Sequence, residues 1–312
     1  MPLRIVFCGT PAFAVPSLER LMAEPDFRIE TVVTQPDRRR GRGGEIAMSP
    51  VKRAAMEAGV AVYQPEKIKS DASYEFFRRL APDAAVIIAY GQIISQRLLE
   101  IPRLGWINLH ASLLPKYRGA APISWTIVNG EIRTGVTTMQ VNAGLDTGPI
   151  LLTAATDIGP DETAPELGGR LAEIGAALMV ETLHRLERRE LTPRSQDDSE
   201  KSFAPLLKKE DGRIDWSQPA QAIYNRMRGL QPWPGTFTSF RGRTCHIWGR
   251  PAQENKITAA PGSIVLNKET FVVVCGCDTA LRLESVQVEG RKRVTAREFA
   301  SGARLQAEDR FE

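Results

Sequence analysis

Asn108 and His110 stand two residues apart at the end of an apolar run, in the stretch INLHASLLPKYRGAAPI. In a strand, residues two apart share a face. An amide donor beside an imidazole makes an oxyanion clamp and a proton carrier, the two functions acyl chemistry requires. The plainer reading is a buried Asn–His pair that satisfies backbone groups, and both readings stand. A nearby carboxylate would orient or charge the imidazole. Asp146, in the glycine-bounded stretch LDTGPI, is the candidate. A turn aspartate that bonds its own backbone fits the same residues. Asp-Thr-Gly also suits aspartic proteases, but that chemistry needs two carboxylates sharing a proton, and the chain has one such triplet. No Ser or Cys occupies a nucleophile elbow. The chemistry is then direct transfer to an external nucleophile, without an acyl-enzyme.

A second candidate is the loop TQPDRRRGRGGEIAMSPVKR, with Arg38, Arg39, Arg40, Arg42, Lys52 and Arg53 against only Asp37 and Glu45. Arginines in a glycine-rich loop suit phosphates or a nucleic-acid backbone. A solvated charge run is the alternative. The opening FCGTPAF has a single glycine where a dinucleotide site needs three, so it reads as a tight strand-to-helix turn.

Strands must position these residues. LRIVFCG, IETVV, DAAVIIA, GWINLHAS, GVTTMQV and PILLTAATDI read as strands with helical segments between several of them, which predicts a largely parallel sheet with helices on its faces. His110 then lies at the carboxyl end of its strand, where open α/β sheets bind ligands. The stretch from Thr163 to Glu190 reads as a helix, with Thr163 and Glu166 at capping-box spacing and Leu167, Leu171, Ile174 and Leu178 facing a core. Residues 191–205 turn polar, as a linker would. Short alternating stretches follow, among them TCHIWG, TFVVVC and ALRLESVQV, which predict a small antiparallel barrel or sandwich.

With 312 residues the chain is long enough for two domains. From Phe203 onward there are 17 Lys and Arg against 12 Asp and Glu, and the rest is nearly balanced, so a basic bias toward a polyanion sits in the second part. The spacing of Cys8, Cys245, Cys275 and Cys277 fits neither a disulfide framework nor a zinc site; no metal site is expected. No run approaches a membrane span, so a cytoplasmic protein without a membrane partner is expected.

The motifs GTPAFAVPSLERL, TQPDRRRGRG, SPVK, AYGQII, INLHASLLPKYRGAAPI, GVTTMQVNAGLDTGPIL, RIDW and PWPGTF occur in this order. Along nearly its whole length the sequence resembles the bacterial methionyl-tRNA formyltransferases, within the folate-dependent formyltransferase family. The resemblance implies formyl transfer from 10-formyltetrahydrofolate to the α-amino group of methionyl initiator tRNA, by a monomer. It implies a Rossmann-like formyltransferase domain over 1–190, a linker over 191–205, and an OB-like tRNA-binding barrel over 206–312. By the same resemblance Asn108, His110 and Asp146 are catalytic. Ser112, Leu113, Leu114 and Pro115 contact the folate, and Tyr90, Gly91, Gln92 and Ile93 line its pterin pocket. Arg42 falls at the basic position that reaches for tRNA, with Arg38, Arg39, Arg40, Lys208 and Lys209 adding charge. Two departures touch the tRNA contacts: Gly44-Glu45 and Leu206 stand where the family often has lysine. A formyltransferase for another amine, or a hydrolase using water, would share the catalytic trio.

Overall fold

The computed structural model describes residues 1–40, 45–252, 259–266, 271–306 and 308–312, without the side chains of 39, 40, 45 and 46. These residues divide into two units. The first takes in 1–122, 133–157 and 166–205, and the second 123–132, 158–165 and 206–312. The stretches 123–132 and 158–165, placed by the sequence inside the first domain, therefore cluster with the second.

In chain order the first unit carries β1 (Leu3–Gly9), α1 (Val15–Ala23), β2 (Phe27–Val33), the paired β3 (Arg38–Arg40) and β4 (Glu45–Ala47), α2 (Pro50–Glu57), β5 (Val62–Tyr63), α3 (Asp71–Leu80), β6 (Ala84–Ile88), α4 (Gln96–Leu99), β7 (Trp106–His110) and β8 (Arg118–Gly119). After α5 (Pro122–Val128) come β9 (Arg133–Gln140), β10 (Ile150–Asp157), α6 (Ala164–Glu187) and β11 (Phe203–Ala204). The apolar runs become a seven-stranded sheet in the order β10-β9-β7-β6-β1-β2-β5. From β7 to β5 it is parallel; β9 and β10 join antiparallel. The chain winds from β1 outward through β2, then returns to lay β6 on the other flank of β1. That reversal is the kind of topological switch point at which open α/β sheets leave a crevice, here beyond the carboxyl ends of β1 and β6.

Serines cap two helices. Ser49 caps α2 by accepting from the Lys52 backbone N–H at 3.0 Å, and Ser70 caps α3 by accepting from that of Ser73 at 3.2 Å. Leu167 and Leu171 of α6 are fully buried, as the helical period requires, and Ile174 is half-buried. Gly175 lets α6 press on β7: a Cβ there would lie 2.4 Å from Cδ2 of Leu109. Thr182 and Thr138 share a hydrogen bond of 2.8 Å on the same side. With Leu109 turned to α6, the alternation of the strand puts Asn108 and His110 on the opposite face.

The polar stretch 191–205, read as a linker, is laid across the first unit. Arg194 and Ile150 exchange backbone hydrogen bonds of 2.8 Å, and β11 pairs in parallel with β8.

The second unit holds α7 (Ala220–Gly229), β12 (Phe237–Phe240), β13 (Arg243–Pro251), β14 (Ile264–Leu266), β15 (Phe271–Val274), β16 (Ala280–Val288), β17 (Val294–Thr295) and α8 (Ala296–Ala303). Its sheet is antiparallel, in the order β12-β13-β16-β15-β14 with β17 on β16. Residues 310–312 bridge both ends of that order: Phe311 pairs with Phe240 of β12, and Arg310 with Ser263 just before β14. The tail thus links the two ends of the sheet toward a barrel and covers part of both edges. Inside, Phe311 is fully buried among Trp216, Phe240 and Phe299. Among the described residues no helix is long and apolar enough to cross a membrane.

Candidate active site

His110 ends β7 directly opposite Thr137, and Asn108 lies opposite Met139. Cross-strand partners share a face, so all four side chains meet on one side of the sheet. His110 is 6% exposed. Its Nε2 lies 2.9 Å from the Tyr117 carbonyl oxygen. A carbonyl only accepts, so Nε2 carries the proton and Nδ1 is left facing the site. There it meets Asp146, whose Oδ2 is 3.7 Å away. Asn108 is half-buried, and its side chain makes no hydrogen bond to another described residue.

Asp146 comes from the loop between β9 and β10, which folds back over this face from a base closed by the Gln140–Pro149 backbone bond of 2.9 Å. Turn formation in the loop falls to Asn142, whose Oδ1 accepts from the Gly144 backbone N–H and the Thr147 hydroxyl. The Asp146 carboxylate is turned inward instead, accepting from the Gly119 N–H at 2.8 Å. Its φ is +51° and that of Tyr117 is +60°, both in the left-handed region that non-glycine residues seldom adopt. Two strained residues therefore flank His110, one holding each ring nitrogen's neighbour in place.

The loop after β7 is fixed from below. The Thr137 hydroxyl donates to the Ser112 carbonyl at 2.7 Å and accepts from the Leu114 N–H at 3.2 Å. Ser112 is fully buried and donates to the Lys116 carbonyl at 2.6 Å. Leu114 packs with Met139 and Ile150 in the core, and Leu113 lies over Gly135 of β9. Only Leu113 and Pro115 of this apolar stretch are half-open.

The stretch 90–93 leaves β6 at the crevice. Tyr90 is buried, and burial pushes its phenol well above the usual range. Its carbonyl accepts from the Gln35 amide at 3.1 Å. The Gln92 amide is committed to the fold: its oxygen accepts from the Ile68 N–H at 2.8 Å, and its nitrogen donates to the Glu66 carbonyl at 3.3 Å. Gly91 and Ile93 are exposed, and the backbone N–H groups of residues 91–93 pair with no other described residue.

Of the basic candidates, Arg38 is exposed, as are Lys208 and Lys209 on the second unit. Arg42 lies outside the described residues, as do the side chains of Arg39 and Arg40. Lys52, counted among the positive charges of the loop, is paired within the fold. Its ammonium is bound to Asp37 at 2.5 Å, and the hydrogen bond from Lys52, helped by Gln64, holds the Asp37 carboxyl below the usual range. Gln196, Arg118 and Thr137 were not legible as site residues. All three serve the site through hydrogen bonds to loops, which their residue types do not announce even where, as for Arg118 and Thr137, they lie within the quoted motifs.

Residues 3–183 match the model of the formyl transferase family, and residues 206–304 match that of its C-terminal domain. The chain belongs to the formyl transferase family. A methionyl-tRNA formyltransferase of Solibacter usitatus is 56% identical over 304 residues, covering 97% of this chain and 96% of that protein. One of Caldanaerobacter subterraneus is 46% identical, over 96% and 97%. Among solved structures, the sugar 3N-formyl transferase WlaRD, crystallised with dTDP and 5-N-formyl-THF, aligns with a TM-score of 0.67 at 17% identity, over 94% of this chain and all of that one. HypX of Aquifex aeolicus in complex with tetrahydrofolic acid aligns at 0.61 and 18%, over 96% of this chain and 47% of that one. At these identities the likeness is one of fold. This formyltransferase thus has the two-part architecture that its sequence predicts.

Proposed function

We propose that this formyltransferase moves the formyl group of 10-formyltetrahydrofolate to the α-amino group of methionine on initiator tRNA, in translation initiation. The observation that carries the reading is the convergence of Asn108, His110 and Asp146 on one sheet face, in a chain 56% identical to a methionyl-tRNA formyltransferase. The donor would lie at the crevice beyond β6. There the unpaired N–H groups of residues 91–93 suit the edge of a polar heterocycle, and Leu113 and Pro115 offer apolar surface. When bound, the donor supplies an activated formyl carbon.

The residues then have separate tasks. The free Asn108 amide holds the negative charge that develops on the formyl oxygen. A proton on His110 Nδ1 adds to that field while Nε2 stays anchored on Tyr117. Asp146 orients the imidazole and accepts the proton that the attacking amine gives up, directly or through water, and the folate nitrogen takes a proton back as its bond to the formyl carbon breaks. The nucleophile belongs to the second substrate, so positioning supplies much of the rate. On the second unit, exposed Lys208, Lys209, Arg291, Lys292 and Arg293 suit a phosphate backbone, and Trp233, 54% exposed, suits base stacking. A tRNA substrate places the reaction in the cytoplasm.

The test is transfer from 10-formyltetrahydrofolate to labelled methionyl initiator tRNA, with elongator methionyl-tRNA as the control. Formylation of the initiator alone is expected. Product on an amino sugar nucleotide and none on tRNA would overturn the substrate while keeping the chemistry.

A further inference from the structure

We propose that Gln196 is a positioning residue that sets Asp146 against His110, an inference that rests on the catalytic role given to Asp146 above. Gln196 belongs to the polar stretch 191–205 and is half-buried, while both of its neighbours are exposed. Its amide nitrogen donates to the Asp146 carbonyl at 2.8 Å and to the Gly148 carbonyl at 2.7 Å. Its amide oxygen accepts from the Arg118 guanidinium at 2.9 Å and 2.7 Å. Arg118 is 2% exposed and also reaches Asp198 at 2.8 Å.

One side chain therefore joins two loops. The Asp146 loop hangs on its nitrogen. Its oxygen holds Arg118, which adjoins both Tyr117, whose carbonyl anchors His110, and Gly119, whose N–H holds the Asp146 carboxylate. Ser202 braces the second loop in parallel. Its hydroxyl accepts from the Tyr117 N–H at 2.9 Å, and its carbonyl accepts from that of Arg118 at 2.9 Å. Apart from Gln196, the only hydrogen bond that reaches residues 143–147 from outside the loop among the described residues is that of the Gly119 N–H to the Asp146 carboxylate; Asn142 ties the loop to itself. A carboxylate at φ +51° stays in place only if its surroundings hold it. Both hydrogen bonds to the outward carbonyls of residues 146 and 148 come from Gln196, and neither touches the reacting atoms.

Gln196→Glu separates the two halves of this contact. It keeps an oxygen for Arg118 and replaces the donor with an oxygen that repels both carbonyls. Gln196→Met, of similar length, has neither group and takes its place if the glutamate variant does not fold, as judged by thermal unfolding. Each variant is assayed on methionyl initiator tRNA and 10-formyltetrahydrofolate, alone and in an Asp146→Asn background. Exchange of the amide hydrogens of residues 142–149 is followed in parallel and needs no activity. We expect kcat to fall by roughly 10- to 100-fold, as for a displacement on the order of 1 Å, with KM for both substrates and the melting temperature little changed. We expect faster exchange in 142–149 but not in β7, and no further loss when Asp146→Asn is already present, because the two act as one unit. An equal fold-loss in both backgrounds, a rise in KM alone, or unchanged exchange would overturn the proposal. Full turnover by Asp146→Asn would instead remove the role on which it rests, and the exchange data would show separately whether Gln196 holds the loop.

Discussion

Asn142 and Asp146 share one loop and divide its work. Asn142 closes the turn with its own oxygen, which leaves the Asp146 carboxylate free to face His110. The turn-aspartate reading of LDTG therefore fails on geometry: the Asp146 carboxylate bonds the backbone of Gly119, 27 residues earlier, and not its own turn. Asn108 is the complementary case, an amide on the His110 face of the sheet whose side chain bonds no other described residue. Asn108→Ala should lower kcat by about 10²–10³, the loss typical for one oxyanion donor, while the KM for the formyl donor stays near that of the parent. Steady-state kinetics on both substrates checks this, and a change confined to KM would reassign Asn108 to binding. Lys52 and Asp37 make a pH prediction. A carboxyl whose folded pKa is depressed contributes stability above its unfolded value of ~3.9 and loses it as the pH falls through the folded value. Lys52 is the main cause of the depression. Lys52→Met should therefore unfold more easily than the parent near neutral pH, by roughly 1 kcal/mol. The two chains should converge as the pH drops below ~4, in urea melts taken across that range.

At the scale of elements, the site depends on two-residue strands. β8 and β11 are each two residues long, and their contact is so close that a Cβ on Gly119 would lie 2.6 Å from the Ala204 carbonyl oxygen. Gly119 also has φ +124°, outside the range of other residues. Gly119→Ala should cost about 1–3 kcal/mol in strain. It should also move the N–H that holds Asp146, cutting kcat about 100-fold; thermal unfolding and turnover measured together test both. This junction explains what the sequence could reveal. The strands β1, β6 and β7 and the helix α6 were legible because burial imprints long apolar runs and a 3.6-residue period on them. Asn108 and His110 were legible because a period of two puts them on one face. The β8–β11 pairing carries no period, since two residues cannot show one. Apolar runs also carry no direction, so the antiparallel placement of β9 and β10 was invisible in GVTTMQV and PILLTAATDI. The roles of Tyr90 and Gln92 follow from packing: the ring is buried in the core and the amide is bound to residues 66 and 68, contacts that nothing in AYGQII announces.

Across the whole molecule the two units are stabilised by separate cores. The barrel core gathers Trp216, Phe240, Phe271, Phe299 and Phe311, with Leu281 and Val286 from β16. Phe311 matters beyond its area, because residues 310–312 also bridge β12 to the start of β14. Without that bridge both edges of the sheet expose unpaired backbone groups. Phe311→Ala should cost ~3–5 kcal/mol, as for a buried aromatic whose site cannot fully collapse. The loss should fall on the barrel. Amide exchange in β13 and β16 should accelerate, while β1 and β6 keep the protection of the parent. Binding of a folate donor, assigned to the first unit, should persist at temperatures where the barrel has melted, and formylation of methionyl-tRNA should fall with the barrel. Donor binding and barrel protection measured along one temperature series decide the point. If donor binding is lost in step with the barrel, the first unit does not hold its crevice alone, and the bracing of Asp146 by the 194–204 stretch is then insufficient without the second core.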